Sequence, residues 1–338
     1  MNKHINIPIF IPHEGCPNDC IFCNQRKISG QIRAPLEAEM VNIIEEHLQT
    51  INPNDYCEIA FFGGSFTGLP QQQQMQFLKI AHRYVIEGRI KGIRLSTRPD
   101  YINVDILNLL KKYSVKVIEL GIQSLDEQVL ERSYRNYSAQ TVIDACHMIK
   151  EYGFSLGVQT MIGLPGDTLQ KSTDTAKRLI ALAPEMVRIY PTLVIKDTEL
   201  AKQYLNNNYK PLTLDEAVSW CSILVPMYED TNIQVLRIGL QDTVDLQKGN
   251  EVIAGPAHPA IGDLVYSNIL LKHMTNKLDN MDIKQKKMII HVAQNQVSLA
   301  IGQHRRNINF LKEKYGFSHI KVQADQKSQK SVGFEFLD

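Results

Sequence analysis

No stretch of this 338-residue chain is apolar over the ~18–20 residues that a membrane span requires. Its start, Met1-Asn2-Lys3-His4, leads into a short apolar stretch broken by Pro8 and Pro12 and lacks a small-residue cleavage site, so no secretory leader is expected. The chain therefore reads as cytoplasmic, with no membrane partner. An excess of charge of one sign is missing too. Lys+Arg is 37 and Asp+Glu 36, a net charge of +1, so bulk composition offers no argument for a nucleic-acid or membrane partner. No internal repeat appears. What is present is a hydrophobic content of 43%, enough for a packed core, in a chain long enough for one large domain or one large and one small.

Apolar β-rich runs alternate with helical spacings from the N-terminus. The expected strands are Ile5–Ile11, Cys57–Phe62, Gly92–Thr97, Val115–Gly121, Phe154–Thr160 and Met186–Tyr190, with Asn232–Ile238 a candidate seventh. The expected helices are Leu36–Thr50, Gln71–Glu87, Val104–Lys112, Ala139–Glu151 and Leu169–Leu182. Such alternation builds βαβ units on a parallel sheet. Six or seven units suit a complete or partial β/α barrel, whose active site lies at the C-terminal ends of the strands. The rhythm breaks near Gly255-Pro256-Ala257-His258-Pro259, and a different organisation follows. The expected division is a barrel over residues 1–240 and an extension over 241–338.

The six cysteines are unevenly spread. Cys57, Cys146 and Cys221 sit in strand or helix patterns and read as small buried hydrophobes. Cys16, Cys20 and Cys23 crowd into eight residues after the first strand, spaced C-x3-C-x2-C, with the turn formers Pro17, Asn18 and Asp19 letting three thiolates converge. In a cytoplasmic chain this suggests metal more than disulfides. A second cysteine pair for a tetrahedral zinc site is absent, although His13 could complete a Cys3His set. Three thiolates on a four-iron cluster leave one iron open to a cofactor or substrate.

Further polar motifs follow the later strands: Gly63-Gly64-Ser65, Ser96-Thr97-Arg98-Pro99-Asp100, Glu119-Leu120-Gly121-Ile122-Gln123-Ser124, Gly163-Leu164-Pro165-Gly166-Asp167 and Tyr190-Pro191-Thr192-Leu193-Val194-Ile195. Singly each has a plain reading, such as Asp167 or Thr168 capping the next helix. Together with the cysteine spacing and Phe22 before the third cysteine, the set resembles the radical S-adenosylmethionine (SAM) superfamily. It is most similar to the radical SAM domain of the Elongator catalytic subunit, with kinship to oxygen-independent coproporphyrinogen oxidases, over roughly residues 5 to 240.

The resemblance implies a partial (β/α)6-type TIM barrel. It implies a [4Fe–4S] cluster on Cys16, Cys20 and Cys23, SAM on the open iron, and one-electron cleavage to a 5′-deoxyadenosyl radical, with a flavodoxin- or ferredoxin-type reductant as partner. It places cofactor contacts at Phe22, Gly63, Gly64, Ser65, Ser96, Glu119, Gln123, Arg135 and Gln159, and a substrate-side catalytic residue at Tyr190. Elongator-type enzymes also carry an acetyltransferase domain, for which the ~100 residues after Ile238 are expected to be too few beside the basic tail.

That tail, residues 284–330, holds ten Lys/Arg and two acids, an electrostatic footprint for phosphate. Its pattern reads strand–helix–loop–helix–strand and looks like a KH-type RNA-binding core within a small α+β appendage. The loop Gly302-Gln303-His304-Arg305, followed by Arg306, carries arginine where the second glycine of GXXG would stand. The expectation is thus a radical SAM enzyme modifying RNA, with tRNA favoured. A small-molecule enzyme of the coproporphyrinogen-oxidase kind and a non-catalytic cluster-bearing RNA binder or sensor are the alternatives.

Overall fold

A computed structural model describes residues 3–11, 20–24, 33–52, 54–240, 251–325 and 332–337. Two compact units result: residues 1–213 with 227–257, and residues 214–226 with 258–338. Beside the expected division into 1–240 and 241–338, this grouping places the thirteen residues 214–226 with the second unit. Pro226, which cannot donate an intrahelical hydrogen bond, marks that division inside a helix.

Up to the second unit the chain alternates strands and helices: β1 (His4–Ile11), α1 (Glu37–Leu48), β2 (Tyr56–Gly63), α2 (Gln71–Ile86), β3 (Gly92–Thr97), α3 (Val104–Lys112), β4 (Val115–Gln123), α4 (Glu127–Arg132), α5 (Ala139–Glu151), β5 (Ser155–Ile162), α6 (Leu169–Ala181), β6 (Met186–Pro191), β7 (Val194–Ile195), α7 (Glu199–Leu205), α8 (Leu214–Glu229), β8 (Gln234–Ile238) and β9 (Val252–Ala254), all in the first unit except most of α8, which groups with the second. Seven strands form one parallel sheet in the order β1-β2-β3-β4-β5-β6-β8, curled into a partial TIM-type barrel, while β7 pairs antiparallel with β9. Five of the helices start where a side chain caps them. Asn103, Asp126, Ser138, Thr168 and Thr198 each accept the amide three residues on.

Period-2 alternation gives the sheet two characters. One set of side chains, including Ile7, Ile9, Ile59, Ile93, Leu95 and Ile118, is fully buried and apolar. The other faces the barrel lumen and is polar: Glu58, Arg94, Ser96, Glu119, Gln159 and Arg188. Two register shifts re-aim residues toward the site. Between β4 and β5, Gly121 opposes Gln159 but Gln123 opposes Thr160. Between β6 and β8, Val187 opposes Val235 but Arg188 opposes Arg237.

The second unit holds α9 (Ile261–Leu278), β10 (Lys287–Val292), α10 (Val297–Ile301), α11 (Arg306–Tyr315), β11 (His319–Ala324) and β12 (Gly333–Leu337). Its sheet runs β11-β10-β12, with β11 parallel and β12 antiparallel to β10. Met274, Leu278, Met288, Ile290, Leu311 and Ile320 lie in its core.

Candidate functional site

The cysteine segment enters the described residues at Cys20; Cys16 and His13 lie outside them. The Cys23 amide donates to the Cys20 carbonyl at 2.9 Å, closing a tight turn between the two cysteines. Ile21 anchors this turn in a cluster with Val194, Leu200, Ala201 and Tyr209. Its carbonyl accepts the Leu200 amide at 2.7 Å. Phe22 packs against the same cluster, so its first role is to seat the turn.

Two buried arginines converge on Cys20. Arg135 Nη1 donates to its Sγ at 3.2 Å and Arg98 Nη1 reaches it at 3.5 Å. Arg98 also donates to the Arg135 carbonyl at 2.6 Å and grips Asp100 through two hydrogen bonds of 2.9 Å. Both guanidiniums lie over the Tyr137 ring, 5.0 and 4.9 Å from its centroid. Burial opposes the charge on Arg135, yet Tyr137 and Cys20 hold its pKa above the ordinary value. Two permanent cations thus flank the Cys20 sulfur.

The other thiols contrast with this. Burial pushes Cys57 up to about 11 and Cys146 and Cys221 up to about 12, so they stay protonated, as expected of small core residues.

Around this corner the backbone makes room for a ligand. The Gly64 amide donates to the Ile11 carbonyl at 2.8 Å. Gly63 has φ +109, and a Cβ there would meet the Ile11 backbone at 3.1 Å. Ser65 is buried next to it. Gln123 takes φ +69, and its Oε1 is buried without a hydrogen-bond partner. An orphaned acceptor costs about 1–3 kcal/mol unless something satisfies it, so this atom is a vacancy for a donor such as an ammonium or hydroxyl. The Gly121 carbonyl takes Arg135 Nη2 at 2.5 Å and the Tyr137 hydroxyl at 3.0 Å.

A second group lies in the lumen. Glu119, 1% exposed, accepts from Arg94 at 2.9 Å, Arg188 at 2.7 and 3.3 Å and Gln159 at 3.1 Å. Arg94 also pairs with Glu58 at 2.9 Å, and Gln159 Nε2 reaches Ser96 Oγ at 3.2 Å. Both Glu119 oxygens are thus occupied by the lumen network, which makes it an organiser of Arg188 and Gln159 rather than an open acceptor. Burial would raise its pKa, but Arg188, Arg94 and Gln159 outweigh that and hold it below the usual value. Burial pushes Tyr190 up to about 12 against the pull of Arg188, so its hydroxyl keeps its proton near neutral pH, accepting from Arg188 and able to donate one hydrogen bond.

Asp167 is a lock rather than a cap. It accepts the Gly163 amide, the Thr168 amide and the Ser172 hydroxyl, each at 2.8 Å, while Thr168 caps α6. Sequence reasoning missed two residues of the cysteine corner. Arg98 stood inside a quoted motif without a role, and Tyr137 lay two places after Arg135 with no signal of its own.

In the second unit, the Gly302–Arg305 loop projects between α10 and α11. Gln303, His304, Arg305 and Arg306 are exposed. His304 and Arg305 both take positive φ, +51 and +62. Asn307 fastens the loop from beneath, donating to Ser267 Oγ at 2.9 Å, the Ser267 carbonyl at 3.1 Å and the Leu299 carbonyl at 2.9 Å. Among the described residues, three tail cations are ion-paired with acids outside the tail: Lys284 with Asp282, Arg306 with Asp215 and Lys314 with Asp279.

The comparisons with known proteins agree with this geometry. The radical SAM superfamily profile matches residues 10–179, and a radical SAM C-terminal domain profile matches 184–270. The chain belongs to the radical SAM superfamily. A tRNA uridine(34) acetyltransferase of Methanocaldococcus infernus is 25% identical over 294 residues, 74% of this chain and 53% of that protein. An uncharacterized protein of Methanocaldococcus jannaschii is 30% identical over 227 residues, 63% of this chain and 68% of that one. The chain spans about half the length of the tRNA uridine(34) acetyltransferases it matches. Among solved structures, the archaeal Elp3 of Methanocaldococcus infernus superposes with a TM-score of 0.64 at 21% identity, covering 80% of this chain and 64% of that one. No helix among the described residues is long and apolar enough to cross a membrane.

Proposed function

We propose that this chain is a radical SAM enzyme that modifies RNA, with tRNA as the substrate class. The observation that carries the enzymatic part is the cysteine corner: a thiol with two buried arginine donors beside an unsatisfied Gln123 oxygen and a glycine cradle. These residues fit the cofactors. Cys16, Cys20 and Cys23 would hold a [4Fe–4S] cluster; Gly63, Gly64, Ser65, Gln123 and Arg135 would hold SAM. Once bound, the pair supplies one-electron reductive cleavage of SAM, drawing on an external one-electron donor.

The protein's own part is positional. Arg98 and Arg135 fix Cys20 and add positive charge beside it. Gln123 offers an acceptor to the cofactor. The apolar strand face and the packed turn at Ile21 keep water from the corner. Arg188, Gln159 and Tyr190 present donors from the lumen, where a substrate would meet them. RNA as substrate is supported by the named activity of the relatives and by the exposed basic loop of the second unit, whose strand–helix–loop–helix–strand order is that of a KH-like core.

The test is anaerobic. The cluster is reconstituted, dithionite and SAM are added, and 5′-deoxyadenosine is assayed with and without bulk tRNA. The expected result is product from wild type, stimulation by tRNA, and loss of at least ~100-fold in Cys20→Ala, which removes a ligand outright. No product with an intact cluster overturns the enzyme; product that tRNA leaves unchanged moves the substrate to a small molecule.

A further inference from the structure

The charges of the lumen do not cancel, and the surplus sits at one place. Glu58 and Glu119 are matched by Arg94 and Arg188. Arg237 is a third lumen guanidinium. It lies on β8 as the register partner of Arg188, whose side chain points inward to Glu119. Parallel register partners share a face and sit ~4.8 Å apart across the sheet. The bulge between β6 and β8 produces this: without the extra residue, Leu236 would oppose Arg188 and Arg237 would face the other way. Arg237 is half-buried and makes no hydrogen bond or ion pair among the described residues, although its charge is felt by Tyr190.

A half-buried guanidinium beside a second one, with no acid among the described residues to neutralise it, is costly unless an anion joins it. The sheet places it where a ligand can arrive. β8 is the edge strand of the open barrel, and Arg237 is the next-to-last residue of that strand, at the end where substrates enter. A rim position on an open edge suits the backbone of a polymer passing the mouth. The planar guanidinium fork matches phosphate oxygens in pairs.

We propose that Arg237, supported by Arg188 and the Tyr190 hydroxyl, is a phosphate subsite that seats a backbone phosphate of the RNA next to the nucleotide held in the lumen. This rests on RNA being the substrate. It assigns Arg237 a binding role and makes Glu119 the positioning residue that holds Arg188 beside it.

The experiment measures bulk tRNA binding to the full, cluster-reconstituted chain across a salt series. A lost phosphate contact lowers the slope of log K against log salt by about 0.7–0.9. Arg237→Gln is expected to show that drop, and Arg237→Lys, which keeps the charge, to retain the wild-type slope. On wild type, bulk tRNA is also expected to protect Arg237 from an arginine-specific dicarbonyl reagent, read by peptide mass spectrometry. Salt-dependent binding by wild type with an unchanged slope in Arg237→Gln, or Arg237 modified equally with and without tRNA, overturns the subsite and leaves the RNA reading standing. Wild type that binds no tRNA overturns both.

Discussion

Glu119 shows how a position that a motif marks out also has partners that the motif does not reveal. A glutamate inside a strand pattern, in a motif shared with radical SAM enzymes, suggests a cofactor contact. The structure surrounds it with Arg94, Arg188 and Gln159. Removing one partner of a buried ion pair strands the others, at a cost of about 3–5 kcal/mol. Glu119→Gln is therefore expected to lower the unfolding free energy read from urea titration by that much at pH 7. The pH dependence follows from the depressed folded pKa. The stabilisation is fully present above the unfolded value near ~4.3 and is lost as pH falls through the lower folded value. Wild type should lose stability across that acid window faster than Glu119→Gln; parallel acid-unfolding curves would count against the network.

Arg305 is a second residue-scale case. It stands in the left-handed region at φ +62, where a non-glycine side chain is strained by roughly 1–2 kcal/mol. Glycine relieves that strain but is more flexible when unfolded. Arg305→Gly is expected to stabilise the chain by up to about 1 kcal/mol while weakening tRNA binding. Stabilisation with unchanged binding would make Arg305 a bystander. A strained arginine that stays exposed is the pattern of a residue kept for what it touches.

At the scale of elements, the strand–helix alternation was legible because each strand buries an apolar face and each helix an apolar stripe. Gly92–Thr97, Val104–Lys112 and Ala139–Glu151 match expectation to the residue. Short pieces escaped: α4, α7 and the β7–β9 pair offer too few residues for periodicity to register. α8 escaped because Pro226 interrupts its pattern. The bulges are the most consequential omission. A single extra residue shifts the face of everything after it, and nothing local announces it. The Gly302 loop depends likewise on a distant clamp. Asn307→Ala removes three hydrogen bonds of a buried amide and leaves the Ser267 and Leu299 groups facing a gap. A loss of about 2–3 kcal/mol in thermal or urea unfolding is expected; a loss under ~0.5 kcal/mol would show that the loop holds itself.

At the scale of the whole molecule, the near-zero net charge conceals a local excess. The tail carries ten cations against two acids. Among the described residues, three of those cations are paired with acids elsewhere, at exposed positions where such pairs contribute little to stability. Arg305 and the exposed end of the loop remain to meet phosphate. Replacing both Arg305 and Arg306 with Ala is expected to reduce the salt slope of tRNA binding by up to about 1.4–1.8, two contacts' worth. Equal slopes would remove the loop from RNA docking and leave the barrel mouth as the site.

The sequence by itself determined the chemistry-bearing turn and the repeated βα order, because cysteine spacing and apolar period are local and each element reports them within a dozen residues. It also placed the polar motifs at strand ends, since strand ends are local too. Only the tertiary structure decided which of those motifs meet. It brought Arg98, Arg135 and Tyr137 to Cys20, tied Glu119 to Arg94 and Arg188, and turned Arg237 inward through one extra residue in β8. Partners across a barrel are chosen by register and strand order. Those depend on the whole sheet closing at once, and no window of sequence contains them.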